Sequence, residues 1–257
     1  KKLKILLFLC IVACTLNGTG AKTIYFDSPD GKLQTTITVG DKLTYDIHCN
    51  GRQILAPSPI SMTLDNGEVW GEKAKLSGTS GKKVDQMIPS PFYRASELRD
   101  HYNELTFGLK KTGMWNFEHT MTERLSALLV GLKAFNVLDE IVDYQFPFDA
   151  VASVPYVNRG KDGDYESQFF NSFENTYVTN NLSKQNKKRL MFLPLVVEAG
   201  DGVKICITSP TGELSGAFLA AAKGENRLSG KFAPYPKRTV QGGHNKLQML
   251  VAEREII

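Results

Sequence analysis

The feature that most constrains this sequence is a succession of short, β-prone runs separated by tight-turn signals. Asn50-Gly51 is the strongest of these signals, because both central positions of a type I′ hairpin turn need a positive φ angle. Strands of this length with turns at this spacing predict an all-β sandwich or barrel and disfavour βαβ units. The runs predicted as strands are residues 33–39, 43–49, 60–64, 105–109, 141–146, 191–198 and 203–208.

One stretch departs from this pattern. Leu125, Leu128, Leu129 and Leu132 recur at helical spacing, and the upstream Thr120 and Glu123 are spaced as a capping box. The sequence therefore predicts a single amphipathic helix over residues 120–132.

The first residues predict export. The basic residues Lys1, Lys2 and Lys4 precede an apolar run over 5–16, which is shorter than the about 20 residues of a membrane span and suits a signal peptide. Small residues place cleavage after Ala21, so residues 1–21 are the predicted signal peptide and 22–257 one exported, periplasmic domain. Alternatively, Ile11-Val12-Ala13-Cys14 is a lipobox and Cys14 carries a lipid anchor. No later run is apolar enough to cross a bilayer.

Charge and motifs exclude several functions. Three of the charges in the net +4 lie in the leader, so the remainder carries +1, too balanced for a nucleic-acid binder. Catalytic or metal motifs such as HExxH, GxSxG, a phosphate loop and an EF-hand are absent. Cys49 and Cys206 lie in strand-like runs without a CxxC, which indicates two buried thiols rather than a metal site.

Nine short phrases, in their order and spacing, resemble the N-terminal β-domain of glycoside hydrolase family 97, which includes bacterial periplasmic α-glucosidases and α-galactosidases. The resemblance implies a large β-sandwich of the galactose-mutarotase type that packs against a catalytic (β/α)₈ barrel. The phrases are Ser28-Pro29-Asp30-Gly31-Lys32-Leu33, Asn50-Gly51, Pro57-Ser58-Pro59, His101-Tyr102-Asn103-Glu104-Leu105, Val154-Pro155-Tyr156, Ser172-Phe173-Glu174-Asn175-Thr176-Tyr177, Leu193-Pro194-Leu195, Phe232-Ala233-Pro234-Tyr235-Pro236 and Gly242-Gly243-His244-Asn245.

A barrel of that kind needs about 250 residues. The sequence ends at Ile257 without them, so we expect a form that lacks the catalytic barrel and is inactive by itself. In the parent family the partners are that barrel and an α-linked oligosaccharide or polysaccharide. The alternatives are a stand-alone carbohydrate-binding protein and a mutarotase-like epimerase. The epimerase needs a histidine and a carboxylate that converge on one concave face.

The resemblance also assigns a metal role to Glu174, as a partial ligand of a calcium ion whose other ligands belong to the barrel. One carboxylate cannot satisfy an ion that takes six to eight oxygens, so this chain alone is not expected to hold calcium stably. The alternative for Glu174 is a solvated surface carboxylate.

The group His101, Asn103 and Glu104 is a candidate for sugar binding, because amide and carboxylate groups hydrogen-bond hydroxyls and Tyr102 offers a flat face. The alternative is local hydrogen bonding to loop backbone and packing of Tyr102. His244 and Asn245 lie in a Gly-rich stretch and are predicted to form a surface loop.

The segment Met121-Thr122-Glu123-Arg124 departs from the family's pattern, which has Asn-Asp-Gly there. The codons AAT GAC GGA GCG, shifted by one base, give ATG ACG GAG CG and so spell Met-Thr-Glu-Arg. We therefore hypothesise that compensating frameshifts bracket residues 119–135, replace a half-buried strand and leave its neighbours unpaired. True divergence is the alternative.

Overall fold

The computed structural model describes residues 20–64, 67, 69–91, 94–111, 115–123, 127–130, 137–169, 174–208, 217–222, 224–232 and 248–252. Within these ranges the chain forms strands and two short 3-10 helices, Glu166–Gln168 and Leu182–Lys184, and no α-helix. The strands are β1 Lys22–Asp27, β2 Leu33–Val39, β3 Leu43–Cys49, β4 Arg52–Leu64, β5 Val69–Trp70, β6 Lys75–Pro89, β7 Glu97–Lys111, β8 Trp115–Glu123, β9 Ala127–Val130, β10 Val137–Gln145, β11 Val151–Pro155, β12 Tyr177–Asn181, β13 Met191–Phe192, β14 Leu195–Gly200, β15 Val203–Thr208, β16 Ala217–Ala221, β17 Arg227–Phe232 and β18 Gln248–Ala252.

The largest sheet begins with an antiparallel meander. Its order is β1-β2-β3-β4-β10-β17-β16-β13, with β5 paired to β4. In β2 and β3 every second side chain is buried and the intervening ones are partly or fully exposed, as expected for a sheet with one face on the core. Asn50 and Gly51 both have positive φ angles, 50° and 78°, and Cys49 pairs with Arg52, which confirms the predicted hairpin turn.

A second sheet, β12-β11-β14-β15-β18, covers the inner face of the first. Inward-facing residues of both sheets and of β7 join one hydrophobic cluster, with Ile47 from β3, Val197 from β14 and Phe107 from β7 among its fully buried members. The predicted all-β sandwich is therefore confirmed. The predicted strand 191–198 is divided by Leu193-Pro194 into β13 and β14, which join different sheets.

The third sheet corrects the helix prediction. Where the leucine spacing predicted a helix over 120–132, β8 and β9 are antiparallel strands in the order β6-β7-β8-β9. β8 pairs with β7 from Asn103↔Glu123 to Lys111↔Trp115, so the expectation that this segment leaves its neighbour unpaired is also wrong. The open edge of β7 supplies a ladder of backbone partners, and this tertiary pairing overrides the local helical periodicity.

Of the four cysteines, Cys49 and Cys206 lie among the described residues, in β3 and β15, and both are free thiols. Cys49 is buried as predicted. Cys206 is only half-buried, which corrects the expectation of two buried thiols, and its partial burial raises the pKa of the thiol. The predicted signal peptide up to residue 19, Cys14, His244 and Asn245 lie outside the described residues. Among the described residues, no helix has the length and apolar character needed to cross a bilayer.

Candidate functional site

The connection between β11 and β12 is organised by one buried glutamine. Gln168 is fully buried, and its Nε2 donates to the carbonyl oxygens of Lys161, at 2.8 Å, and Lys188, at 2.9 Å. Its Oε1 accepts from the backbone N–H of Leu190 at 2.8 Å. Because one side chain bonds three backbone groups, it holds together residues 157–169, whose regular structure is the single 3-10 turn Glu166–Gln168.

A small hydrophobic cluster supports the same connection. Val157, Phe169, Leu190, Phe192 and Ala220 pack together, apart from the main core, with Tyr165 against them. Gly160 in this region has a φ of +90°, and a Cβ there would come within 2.5 Å of the Ser167 carbonyl oxygen, so the backbone path needs a glycine. Residues 157–169 and this cluster form an ordered region that precedes β12, here called the platform.

Glu174 lies on this platform, immediately before β12, and is exposed. Asn158 Nδ2 donates to its carbonyl oxygen at 3.2 Å. The following residue, Asn175, donates from Nδ2 to the Tyr156 carbonyl at 2.8 Å and accepts the Thr176 backbone N–H at 2.8 Å. The backbone at Glu174 and at the two residues that follow it is thus held by hydrogen bonds, and Glu174 itself is exposed.

The first residue of the edge strand β12, three positions after Glu174, is the aromatic residue Tyr177. The Tyr177 side chain is 50% exposed and its hydroxyl donates to the Pro194 carbonyl at 2.7 Å. Among the strands that the structure describes, β12 pairs with one neighbour, β11, and its first four residues are exposed. Glu174 and Tyr177 therefore lie beside an open strand edge, which is the kind of surface that another part of a protein covers.

The described residues do not form a calcium site by themselves. Glu174 supplies one carboxylate, and among the residues with assigned positions no group of three or more His, Cys, Asp or Glu could hold a metal ion. Calcium takes six to eight oxygen ligands, so a site at Glu174 requires donors from elsewhere. The partial-ligand role of Glu174 thus stays a prediction.

The predicted sugar-binding residues all lie on β7, but on both of its faces. His101 and Asn103 share one face, and Glu104 points to the other, because successive strand residues alternate. Asn103 Nδ2 donates to the Asp27 carbonyl of β1 at 2.7 Å, a backbone partner 76 residues away and not in the local loop that the alternative named. The sugar-binding role of these three residues stays a prediction.

His101 lies opposite Asp85 of β6. The Asp85 carboxylate accepts two hydrogen bonds from Arg99, each at 2.7 Å, and these bonds lower the pKa of the carboxyl. The charge of Asp85 is therefore already matched by Arg99. These residues belong to the four-stranded sheet β6-β7-β8-β9, whereas Glu174 precedes β12, which belongs to the second sheet.

A histidine–carboxylate pair that the sequence analysis overlooked lies on β3. His48 Nδ1 is 3.3 Å from Asp46 Oδ1, on the face of the sheet that points away from the core. The alternation within β3 could have identified the pair, since the two residues are two positions apart. The two groups contact each other on one face of the sheet, and the epimerase alternative stays a prediction.

Comparison with known proteins gives a consistent result. The sequence profile described as Glycosyl-hydrolase 97 N-terminal matches residues 26–254. The chain is 65% identical over 259 aligned residues to a protein of Bacteroides thetaiotaomicron described as a retaining alpha-galactosidase. The match covers 99% of this chain and 38% of that relative, so the chain spans well under half of the relative's length.

Solved structures share the fold. A beta-arabinopyranosidase crystal structure superposes with a TM-score of 0.70 at 18% identity, over 89% of this chain and 40% of that one. A glycoside hydrolase family 97 enzyme from Pseudoalteromonas sp. strain K8, in complex with acarbose, gives a TM-score of 0.66 at 14% identity, over 90% of this chain and 36% of that one. At these identities the likeness concerns the fold alone.

Proposed function

The chain belongs to glycoside hydrolase family 97, whose N-terminal domain it represents, and on this premise we propose that it serves as the carbohydrate-associated domain of an exported α-glycosidase that cleaves α-galactosides. The observation that carries the proposal is the 65% identity to a retaining alpha-galactosidase along 99% of this chain. In this proposal the catalytic groups belong to a (β/α)₈ barrel, and the described β-sheets present Glu174 to it. The leader supports periplasmic localisation, with a lipid anchor at Cys14 as the alternative.

Glu174 is the proposed link between the sandwich and the barrel. Asn158 bonds its carbonyl oxygen, the neighbouring Asn175 is held by the Tyr156 carbonyl, and Glu174 itself is exposed, three residues before the edge strand β12. A carboxylate held in this way can supply one or two oxygens to a calcium ion, and the barrel must supply the rest. When bound, calcium would contribute positive charge at the site; this chain's part is to position one ligand.

A chimera tests the proposal. This chain replaces the matched 38% of the Bacteroides relative, and the remainder of that relative supplies the barrel. We expect calcium-dependent hydrolysis of p-nitrophenyl α-galactoside. Glu174→Gln should weaken calcium binding, measured by calorimetry, at least tenfold, because the amide removes a charged ligand. Glu166→Gln is the matched control, since Glu166 is also an exposed glutamate of the same connection, and we expect it to leave calcium affinity unchanged.

The 257-residue chain alone provides the complementary measurement. We expect no hydrolysis and calcium binding weaker than about 10⁻⁴–10⁻³ M, the range of weak extracellular sites. Micromolar binding that Glu174→Ala abolishes would mean that the sandwich holds a complete calcium site. An active chimera whose calcium affinity is the same with Glu174→Gln would refute the role of Glu174, and an inactive, folded chimera would refute the proposed function.

A further inference from the structure

The outward face of β1, β2 and β3 carries an ordered patch of polar side chains around one aromatic ring. Tyr25 pairs with Thr36 and Thr36 pairs with Asp46, so these three residues form one row across the strands. In the next row Asp27 pairs with Gln34 and Gln34 with His48. Directly paired residues of antiparallel strands project to the same side, so all six side chains share this surface, here called the outer polar face.

Tyr25 is unusually accessible for an aromatic residue. Its side chain is 60% exposed, the highest value among the large apolar residues in the part of the chain that the structure describes. A tyrosine ring typically buries most of its area in a core or an interface, so an exposed ring on a regular strand is available for contact with a ligand.

The polar groups of β3 on the outer polar face are held in position. His48 Nδ1 lies 3.3 Å from Asp46 Oδ1, and Asp46 also forms a side-chain hydrogen bond with Thr36. The His48 side chain is 32% exposed and the Asp46 side chain 13%, so the imidazole is the more accessible of the two. Partial burial raises the pKa of the Asp46 carboxyl, and the bonds to Thr36 and His48 oppose that effect. Groups fixed by their neighbours lose little side-chain entropy when a ligand binds.

We propose that the outer polar face is a binding surface for an α-linked oligosaccharide, with one sugar ring stacked on Tyr25 and the hydroxyl groups of the next hydrogen-bonded by Asp46 and His48. A sugar ring has an apolar face of C–H groups that fits an aromatic ring, and a rim of hydroxyls that both donate and accept hydrogen bonds. The inference rests on the proposed function for the α-linkage of the ligand. It concerns a second place of contact, on a sheet that does not contain Glu174.

The composition of the surface favours a sugar over other ligands. A protein interface has an apolar core, whereas Tyr25 is surrounded by hydroxyl, carboxylate, amide and imidazole groups. Asp27 and Asp46 would repel phosphates of nucleic acid or anionic lipid. A neutral polyol is the ligand class that needs one flat ring and many hydrogen-bonding partners without net positive charge.

The spacing suits a chain of sugar residues. Neighbouring strands lie about 4.8 Å apart, so Tyr25 on β1 and Asp46 on β3 are separated by about 10 Å across the sheet. His48 lies about 7 Å from Asp46 along β3. A monosaccharide on Tyr25 would leave Asp46 and His48 uncontacted, whereas a linked second residue reaches them, so oligosaccharides should bind more tightly than monosaccharides.

The experiment measures binding of stachyose and maltotetraose to the full chain by calorimetry and saturation-transfer NMR. Tyr25→Ala should weaken binding about tenfold, a change of about 1.4 kcal/mol, and Tyr25→Phe should retain it because the ring remains. Asp46→Asn should weaken binding without abolishing it. Met87→Ala is the control, since it removes another large, exposed side chain, at 55% exposure, from β6. Thermal unfolding confirms that each variant folds.

Three outcomes would overturn the inference: no binding by the unsubstituted chain, equal binding by Tyr25→Ala, or an equal loss with Met87→Ala. The result is separable from the test of the proposed function. An active chimera without oligosaccharide binding at Tyr25 refutes this inference alone. An inactive chimera whose sandwich still binds stachyose through Tyr25 refutes the catalytic proposal alone.

Discussion

Gln168 offers a direct measurement of how the platform beneath Glu174 is stabilised. Gln168→Leu keeps a side chain of similar size and removes both polar atoms. The Leu190 N–H loses its partner, whereas the Lys161 carbonyl also accepts the Asp164 N–H at 3.1 Å and the Lys188 carbonyl the Gly163 N–H at 2.9 Å. One backbone group is therefore left without a partner, and two carbonyls each lose one of two bonds.

The magnitude follows from those bonds. A typical hydrogen bond contributes about 0.5–1.5 kcal/mol net, and a buried group left without a partner costs about 1–3 kcal/mol. One such group and two shared bonds give an expected loss of about 2–3 kcal/mol in the free energy of unfolding. At neutral pH, Gln168→Glu should lower the free energy of unfolding more than Gln168→Leu does, because a carboxylate would face two carbonyl oxygens. At low pH its loss should be smaller, because a protonated carboxyl can donate one hydrogen bond.

Urea denaturation of the purified chain measures both variants. The matched control is Gln145→Leu, because Gln145 is half-buried and its Nε2 makes only long bonds, both 3.4 Å, to the Phe146 and Asn226 carbonyls. We expect the control to lose less than about 1 kcal/mol. Hydrogen exchange should quicken over residues 157–169 in Gln168→Leu. A loss no larger than that of the control would refute the reasoning.

Two further predictions concern single polar groups. Tyr144→Phe should raise the free energy of unfolding by about 1 kcal/mol, because within the described ranges the fully buried Tyr144 hydroxyl has no hydrogen-bond partner. Thermal denaturation measures the change. Tyr45→Phe is the comparison, because it loses a 3.1 Å bond to the Asp143 carbonyl and should be destabilised. Bonds from the Ser183 hydroxyl and backbone N–H hold the pKa of Asp149 below its usual 3.8, so this carboxylate stabilises the fold above that pH and the contribution is lost as the pH falls through the lowered pKa. Ser183→Ala should move the pKa upward toward 3.8 in an NMR titration, and an unchanged midpoint would contradict the assignment.

The β-strands were predictable because their signals are local. Alternation and turn chemistry identified residues 33–39, 43–49 and 203–208 with the bounds that the structure shows, and Asn50-Gly51 identified its hairpin. The helix expected over 120–132 failed for the opposite reason. Its leucine spacing is a preference within the segment, whereas the backbone partners that make β8 a strand lie in the preceding strand, β7, and in β9.

The candidate site, like the strands, was predictable only where its signals are local in the sequence. The resemblance of short phrases placed the chain in its family and pointed to Glu174, and profile matching over 26–254 confirmed the family. Nothing in the sequence around Gln168 indicated that it would bind backbone groups 7 and 22 residues away. The grouping of His101, Asn103 and Glu104 was split because a strand sends neighbouring side chains to opposite faces.

The sequence by itself determined several strands, the Asn50-Gly51 turn and the family, because backbone φ preferences, side-chain alternation and ordered motifs are properties of contiguous residues. Only the tertiary structure decided which strands share a sheet and which side chains meet. Tyr25, Thr36 and Asp46 become one row because β1, β2 and β3 pair in a particular register, and a shift of one residue would have sent them to different faces. Register depends on burying one whole face against a distant sheet, and no local stretch of sequence records that condition.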